Sequence, residues 1–106
     1  SFTKIPKECK TWINIREKFN RIMNLLFTEE SWNDYLFWLK NDIKLLKRIN
    51  KLIKEIKRTP FLGIGKPEPL KFKLAGCWSR RINDEHRLIY EINKEEIRII
   101  SCRYHY

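Results

Sequence analysis

The sequence predicts an α+β domain, with two helices packed on one face of a mostly antiparallel sheet of four to five strands. Three observations lead there. A short apolar run at residues 23–27 opens the pattern, two stretches of helical periodicity follow, and four β-rich runs separated by short polar turns close it. Helices and strands are thus segregated along the chain. That order argues for α+β rather than for the alternation of a parallel α/β sheet.

Residues 1–22 read differently from the rest. Six basic residues (Lys4, Lys7, Lys10, Arg16, Lys18 and Arg21) accompany two acids (Glu8 and Glu17), and Trp12, Ile15, Phe19 and Ile22 recur near helical spacing. We expect an N-terminal extension here, a short amphipathic helix after Pro6, dispensable because the pattern from Met23 onward needs nothing upstream. Residues 23–27 form a strand. Thr28 is a good N-cap, with Glu29 and Glu30 in the first turn, where the helix dipole favours acids. Trp32, Tyr35, Leu36 and Leu39 fall at i, i+3, i+4 and i+7, the expected inner face. Asn41-Asp42 breaks and restarts the chain. In the second helix Ile43, Leu46, Ile49, Ile53 and Ile56 point inward and Lys44, Lys47, Lys51, Lys54 and Lys57 largely outward. It ends at Arg58-Thr59, because Pro60 disfavours helical geometry in the residue before it. Residues 60–69, with Gly63, Gly65, Pro67 and Pro69, form a loop with fixed bends. Strands are expected at 70–74, 78–82, 86–92 and 97–104, with turns at 75–77, 83–85 and 93–96.

A length of 106 residues supports one core. Apolar residues make up 42% and aromatics 13%, enough to fold. The longest nearly apolar run, residues 22–27, is too short to cross a bilayer, and the first twenty residues lack the apolar stretch of a secretory signal. A soluble domain without a membrane partner is expected. Against 13 Asp+Glu stand 23 Lys+Arg, a net charge of +10 that favours a polyanion: nucleic acid, an acidic protein segment or an anionic surface. Cys9, Cys77 and Cys102 form an odd set without a C-x-x-C pair, which argues against a disulfide framework or structural zinc and fits a reducing cytosol. Cys102, in an apolar run, is expected as a buried, inert thiol.

Walker, G-x-G-x-x-G, H-E-x-x-H and G-x-S-x-G motifs are absent, which removes most nucleotide-, metal- and acyl-based enzymes. Two histidines, His86 and His105, exclude metal sites with several imidazoles, and no metal or cofactor is expected. What remains is a basic set on adjacent strands: Lys71, Lys73, Arg80, Arg81, Arg87, Arg98 and Arg103. Each alone is most simply a solvated charge. Helices cover one sheet face, however, so alternation turns the other towards solvent or a ligand. Cations interspersed with Phe72, Trp78, Tyr90, Tyr104 and Tyr106 suit RNA, charge for phosphates and rings for bases. These rings could equally be core, and Trp78 is expected there. Arg80 and Arg81 cannot both face RNA from one regular strand. His86 is expected to be a structural, hydrogen-bonding histidine. The lysine-rich second helix is most simply a soluble outer face, and could also bind ribosomal RNA.

Six motifs resemble one family. Glu30-Ser-Trp-Asn-Asp-Tyr-Leu, Arg58-Thr-Pro-Phe, Gly65-Lys-Pro-Glu-Pro-Leu-Lys71, Trp78-Ser-Arg-Arg81, Glu85-His-Arg-Leu-Ile-Tyr90 and Cys102-Arg-Tyr-His-Tyr106 closely resemble the YoeB/Txe toxins of the RelE/ParE superfamily, in the same order and near-identical spacing over residues 23–106. The resemblance implies a RelE-like fold and a metal-independent endoribonuclease of the bacterial cytoplasm that enters the ribosomal A site and cleaves the messenger RNA codon there. It also implies a YefM/Phd-type antitoxin that wraps an acidic segment over the toxin, a homodimer, and contact with operator DNA only through the antitoxin. The family's catalytic carboxylate matches Glu68, its phosphate-clamping arginine Arg87 and its acid histidine His105. Lys71, Arg81, Glu85 and Tyr106 match supporting, RNA-binding positions. Of the adjacent pair, Arg81 is chosen by resemblance.

The chemistry also has a footing of its own. RNA carries its nucleophile, the 2′-hydroxyl, so the protein needs a base, an acid and positive charge rather than a Ser, Cys or metal. Pro67 and Pro69 restrict the backbone around Glu68. An imidazole with an unperturbed pKa of roughly 6.5 donates protons near neutrality, and positioned acid–base groups contribute on the order of 10²- to 10⁴-fold. Cations near Glu68 weaken it as a base but stabilise the dianionic transition state, and the second effect is expected to dominate. Two readings stand beside this one: a non-enzymatic inhibitor similar to the gyrase-targeting ParE branch, and a plain basic nucleic-acid-binding module with steep salt dependence.

Overall fold

The computed structural model describes residues 23–104. The expected amphipathic segment at 1–22 lies outside the described residues, as do His105 and Tyr106. The elements run β1 (Asn24–Phe27), α1 (Glu29–Asn41), α2 (Ile43–Arg58), β2 (Glu68–Pro69), a 3-10 turn (Phe72–Leu74), β3 (Cys77–Arg81), β4 (Arg87–Asn93) and β5 (Glu96–Ser101). The five strands form one sheet in the order β1-β5-β4-β3-β2, antiparallel except for the β1–β5 pair. Two helices therefore lie on one face of a mostly antiparallel sheet, as expected.

Local chemistry sets the helix ends. The Thr28 hydroxyl oxygen accepts from the Ser31 N–H at 3.1 Å and donates to the Ile100 carbonyl at 3.0 Å, so the cap also fastens α1 to β5. Asp42 serves both helices. Its N–H donates to the Trp38 carbonyl at the end of α1, and its carboxylate accepts from the Leu45 N–H at the start of α2. One residue thus reverses the chain, where Asn41-Asp42 marks a break in the sequence.

The inner face of α1 differs from the periodicity reading. Trp38 is 6% exposed and Ser31 is buried, whereas Trp32, Leu36 and Leu39 are exposed, Leu39 by 51%. Polar ties at the end of β5 set this rotation. The Trp38 indole N–H donates to the Cys102 carbonyl at 2.8 Å, and the Cys102 N–H donates to the Asp34 carboxylate at 3.1 Å. With 31, 34 and 38 turned to the sheet, the 32/36/39 row must face outward. Tyr35 is half-buried, stacked on Trp32 and tilted against the Phe27 ring. In α2, Leu46, Ile49, Ile53 and Ile56 are buried as read, Leu52 joins them, and Ile43 at the helix start is exposed. The core then closes with Leu88, Tyr90, Ile97 and Ile99 from the helix-facing side of β4 and β5.

The strand expected at 70–74 is absent. Pairing with β3 involves Glu68 and Pro69, opposite Ser79 and Trp78. The Leu70 N–H still donates to the Cys77 carbonyl at 2.9 Å, and beyond Leu70 the backbone leaves the sheet edge; Leu70 and Leu74 pack on Cys77 and Ile89 in a second, smaller apolar cluster. That cluster covers part of the sheet face opposite the helices, so this face is not wholly open as the one-sided packing argument expected. β3 and β4 lie within a residue of their expected bounds. β5 stops at Ser101 rather than 104, and residues 102–104 instead fold against α1 and His86.

Candidate active site

Partners across a sheet share a face, and neighbours along a strand alternate. Glu68 lies opposite Ser79, Ser79 opposite Ile89, and Arg81 opposite Arg87. Glu68, Arg81 and Arg87 therefore stand on the face turned away from the helices. From strand spacings the Cα atoms of Glu68 and Arg87 are on the order of 12 Å apart, with Arg81 between. Glu68 and Arg81 are exposed and Arg87 is half-buried. Lys71, exposed, follows on the turn after β2, and Glu85, also exposed, lies on the β3–β4 connection.

The β3–β4 connection positions Arg87. The Asn83 side-chain oxygen accepts from the N–H groups of Glu85 (2.9 Å) and His86 (2.7 Å), a turn chemistry native to Asn. The Arg87 guanidinium donates back to the carbonyls of Asn83 (2.6 Å) and His86 (3.0 Å), and the Arg87 N–H donates to the Tyr104 carbonyl at 3.1 Å. His86 is buried against the Trp38 ring, and its Nδ1 accepts from the Tyr104 N–H at 2.7 Å. The structural role expected of His86 is thus observed. Its consequence is that Tyr104, immediately before His105, is bonded on both sides to residues 86 and 87.

Arg80 leaves the basic row. It is 0% exposed on the helix side of β3. Its guanidinium donates to the carbonyls of Ile64 (2.9 Å), Thr59 (2.6 Å) and Leu62 (2.7 Å) and to the Tyr90 hydroxyl (3.1 Å), which in turn donates to the Pro60 carbonyl at 2.8 Å. One buried cation thereby binds the loop that leads into Pro67-Glu68-Pro69. Gly65 lets this loop lie against β3. Its φ is +84°, a Cβ there would meet Leu52 at 2.8 Å, and its carbonyl accepts from the Arg81 N–H. Arg80 is the residue that sequence reasoning missed as a site organiser; the available signal was strand alternation, which permits only one of the Arg80/Arg81 pair on the open face.

Other members of the row also change. Arg98 is paired with Glu91 (3.5 Å) and Glu96 (3.4 Å), and Arg103 stacks over the Phe37 ring at 3.5 Å. Tyr90 is core, Trp78 is half-buried against it, and Phe72 and Tyr104 remain exposed. Burial, and secondarily the Asp34 carboxylate, pushes the Cys102 thiol up to about 12, and burial with Glu91 raises that of Cys77. Both thiols suit a structural role. Among the described residues no group of three or more His, Cys, Asp or Glu side chains could hold a metal, and no helix is long and apolar enough to cross a membrane. A depression of about 440 Å³, lined by Asn50, Lys51, Ile53, Lys54 and Lys57, lies on α2 rather than on the β2–β4 face.

The profile of the YoeB-like toxins of bacterial type II toxin–antitoxin systems matches residues 27–106. The chain belongs to this family. Toxin YoeB of Synechocystis sp. is 66% identical over 84 residues, covering 79% of this chain and 98% of that protein. Toxin YoeB of Escherichia coli is 56% identical over 84 residues, again 79% of this chain and all of that one. Among solved structures, the YoeB/ParE toxin from Agrobacterium tumefaciens superposes with a TM-score of 0.78 at 50% identity, over 79% of this chain and 100% of that one. A YoeB dimer (TM-score 0.75, 48% identity) and a YoeB–YefM complex (0.74, 47%), both from Staphylococcus aureus, each cover 79% of this chain and 98% of theirs. The YoeB/RelE-like fold implied by the six motifs is therefore the fold observed, and the protein is a YoeB-type toxin.

Proposed function

We propose that this toxin is a metal-independent endoribonuclease that cuts messenger RNA in the ribosomal A site. Glu68 takes the proton of the 2′-hydroxyl, the freed oxygen attacks the adjacent phosphorus, and the 5′-oxygen leaves with a proton from His105. The products are a 2′,3′-cyclic phosphate and a 5′-hydroxyl. Arg87, with Arg81 beside it and Lys71 on the other side of Glu68, neutralises the charge that grows on the phosphoryl oxygens. Glu85 and Tyr106 act as supporting, RNA-binding residues. The observation that carries this reading is the shared open face of Glu68, Arg81 and Arg87. It is supported by the terminal segment, since His105 is one peptide link beyond Tyr104, itself bonded to His86 and Arg87.

The partners follow from the same charge. Messenger RNA and the ribosome supply phosphates, and a YefM/Phd-type antitoxin supplies an acidic segment for the same cations. By analogy with the Staphylococcus aureus structures, the toxin forms a homodimer and an antitoxin complex; contact with operator DNA, only through the antitoxin, follows from the family resemblance alone. It works in the bacterial cytoplasm. Residues 1–22 are an extension that cleavage does not need, and a chain starting at Met23 should fold and cut as the full chain does.

The test is chemical. A 2′-deoxy substitution at the scissile nucleotide should block cutting, and EDTA should not. Cutting that survives the deoxy substitution would remove the mechanism. Inhibition of gyrase supercoiling without any RNA scission would favour the ParE-like alternative.

A further inference from the structure

Phe72 is 92% exposed, more than any other large apolar side chain among the described residues, and its backbone is left-handed, with φ of 57°. A side chain held in that region by an L-residue is held by its surroundings. Here the surroundings are identifiable. Leu70 and Leu74 are drawn into the small cluster with Cys77 and Ile89, and the Leu74 and Ala75 N–H groups close the turn on the Lys71 (3.2 Å) and Phe72 (3.0 Å) carbonyls. The two anchored leucines leave the ring between them standing clear of the protein. On either side Lys71 and Lys73 are exposed, with no ion-pair partner among the described residues.

A bare ring between two free ammonium groups has a narrow range of complements. An apolar protein surface would cover the ring but strand both charges away from water, which is unfavourable. A single-stranded nucleic acid satisfies all three groups, because a base stacks on the ring while the flanking phosphates meet the lysines. The location agrees. Phe72 is four residues from Glu68, a chain reach of at most about 14 Å, on a turn seated upon the site face of the sheet.

We propose that Phe72 is a stacking platform for a base of the bound RNA beside the linkage that is cut, with Lys71 and Lys73 on the neighbouring phosphates. This deepens the ribonuclease reading and rests on it. In the full chain, Phe72→Ala, Phe72→Leu and Phe72→Trp are compared by the affinity for a single-stranded RNA made uncleavable with a 2′-deoxy nucleotide, and by KM and kcat on a ribosome-bound message. Stacking predicts that Ala and Leu both raise Kd and KM roughly tenfold or more, that Trp matches or betters the wild type, and that kcat moves least. Thermal unfolding should be nearly unchanged, because the ring is in water.

An Ala variant with wild-type Kd and KM would overturn the proposal. So would full rescue by Leu, which has apolar surface but no π-face. A loss confined to antitoxin affinity, with RNA binding intact, would overturn it in favour of a protein contact. A wild-type chain that binds the deoxy RNA yet cuts nothing would instead defeat the ribonuclease reading, while the Kd series would still decide the stacking.

Discussion

Arg80 and Arg81 are adjacent, chemically identical and opposite in consequence. Arg80 gives four hydrogen bonds to oxygens of the 59–64 loop and Tyr90, from a site without water access. Arg80→Met leaves those acceptors without a donor and should cost about 3 kcal/mol in urea unfolding. Lysine should not rescue it, since a point ammonium cannot span carbonyls that a planar fork reaches. Arg81→Met, on the exposed face, should stay within about 0.5 kcal/mol of wild type yet weaken RNA cleavage. The alternation that separates the two is visible in the sequence; which of them is buried is not, because the acceptors come from an irregular loop. Cys102 supplies a second test at this scale. Its folded thiol titrates at about 12, above its unfolded value, so the native state retains a proton that the unfolded chain loses. Stability should therefore be insensitive to this group below about pH 8 and fall from about pH 9 towards 12. Cys102→Ala should flatten that alkaline decline in unfolding measurements at pH 8 to 10.5.

At the scale of elements, the rotation of α1 is the clearest correction. Apolar spacing selects the 32/35/36/39 face, whereas hydrogen bonds to Cys102, just beyond β5, select the 31/34/38 face. Trp38→Ala should then cost about 3–5 kcal/mol, and Leu39→Ala less than about 1 kcal/mol, both read from denaturant midpoints. Equal losses would restore the periodicity reading. The helix ends, by contrast, were legible, since Thr28, Asp42 and Pro60 act through their immediate neighbours. The span 70–74 was misread for the opposite reason. Its leucines are apolar and closely spaced, but they serve a cluster built by Cys77 and Ile89. A short run does not reveal whether its partner is a strand edge or a sheet face.

At the scale of the whole molecule, several of the described arginines are committed to contacts within the fold. Arg80 is used in the interior, Arg98 is paired to two glutamates, and Arg103 lies on an aromatic ring. Among the described residues, cations open to a polyanion include Lys71, Lys73 and Arg81 near Glu68, half-buried Arg87 on the same face, and the lysines of α2. The fold class, the helix order and the antiparallel meander were legible from patterning alone. The candidate site was proposed chiefly through its motifs, because the strand register that puts Glu68, Arg81 and Arg87 on one face is not visible in local patterning. The most direct measurement is a map of cleavage ends on a translated message, with wild-type protein beside Glu68→Gln. Our account predicts cuts inside A-site codons bearing 2′,3′-cyclic phosphate ends, reduced at least a hundredfold in the variant. Unchanged cutting by Glu68→Gln, or ends bearing a 5′-phosphate, would contradict it.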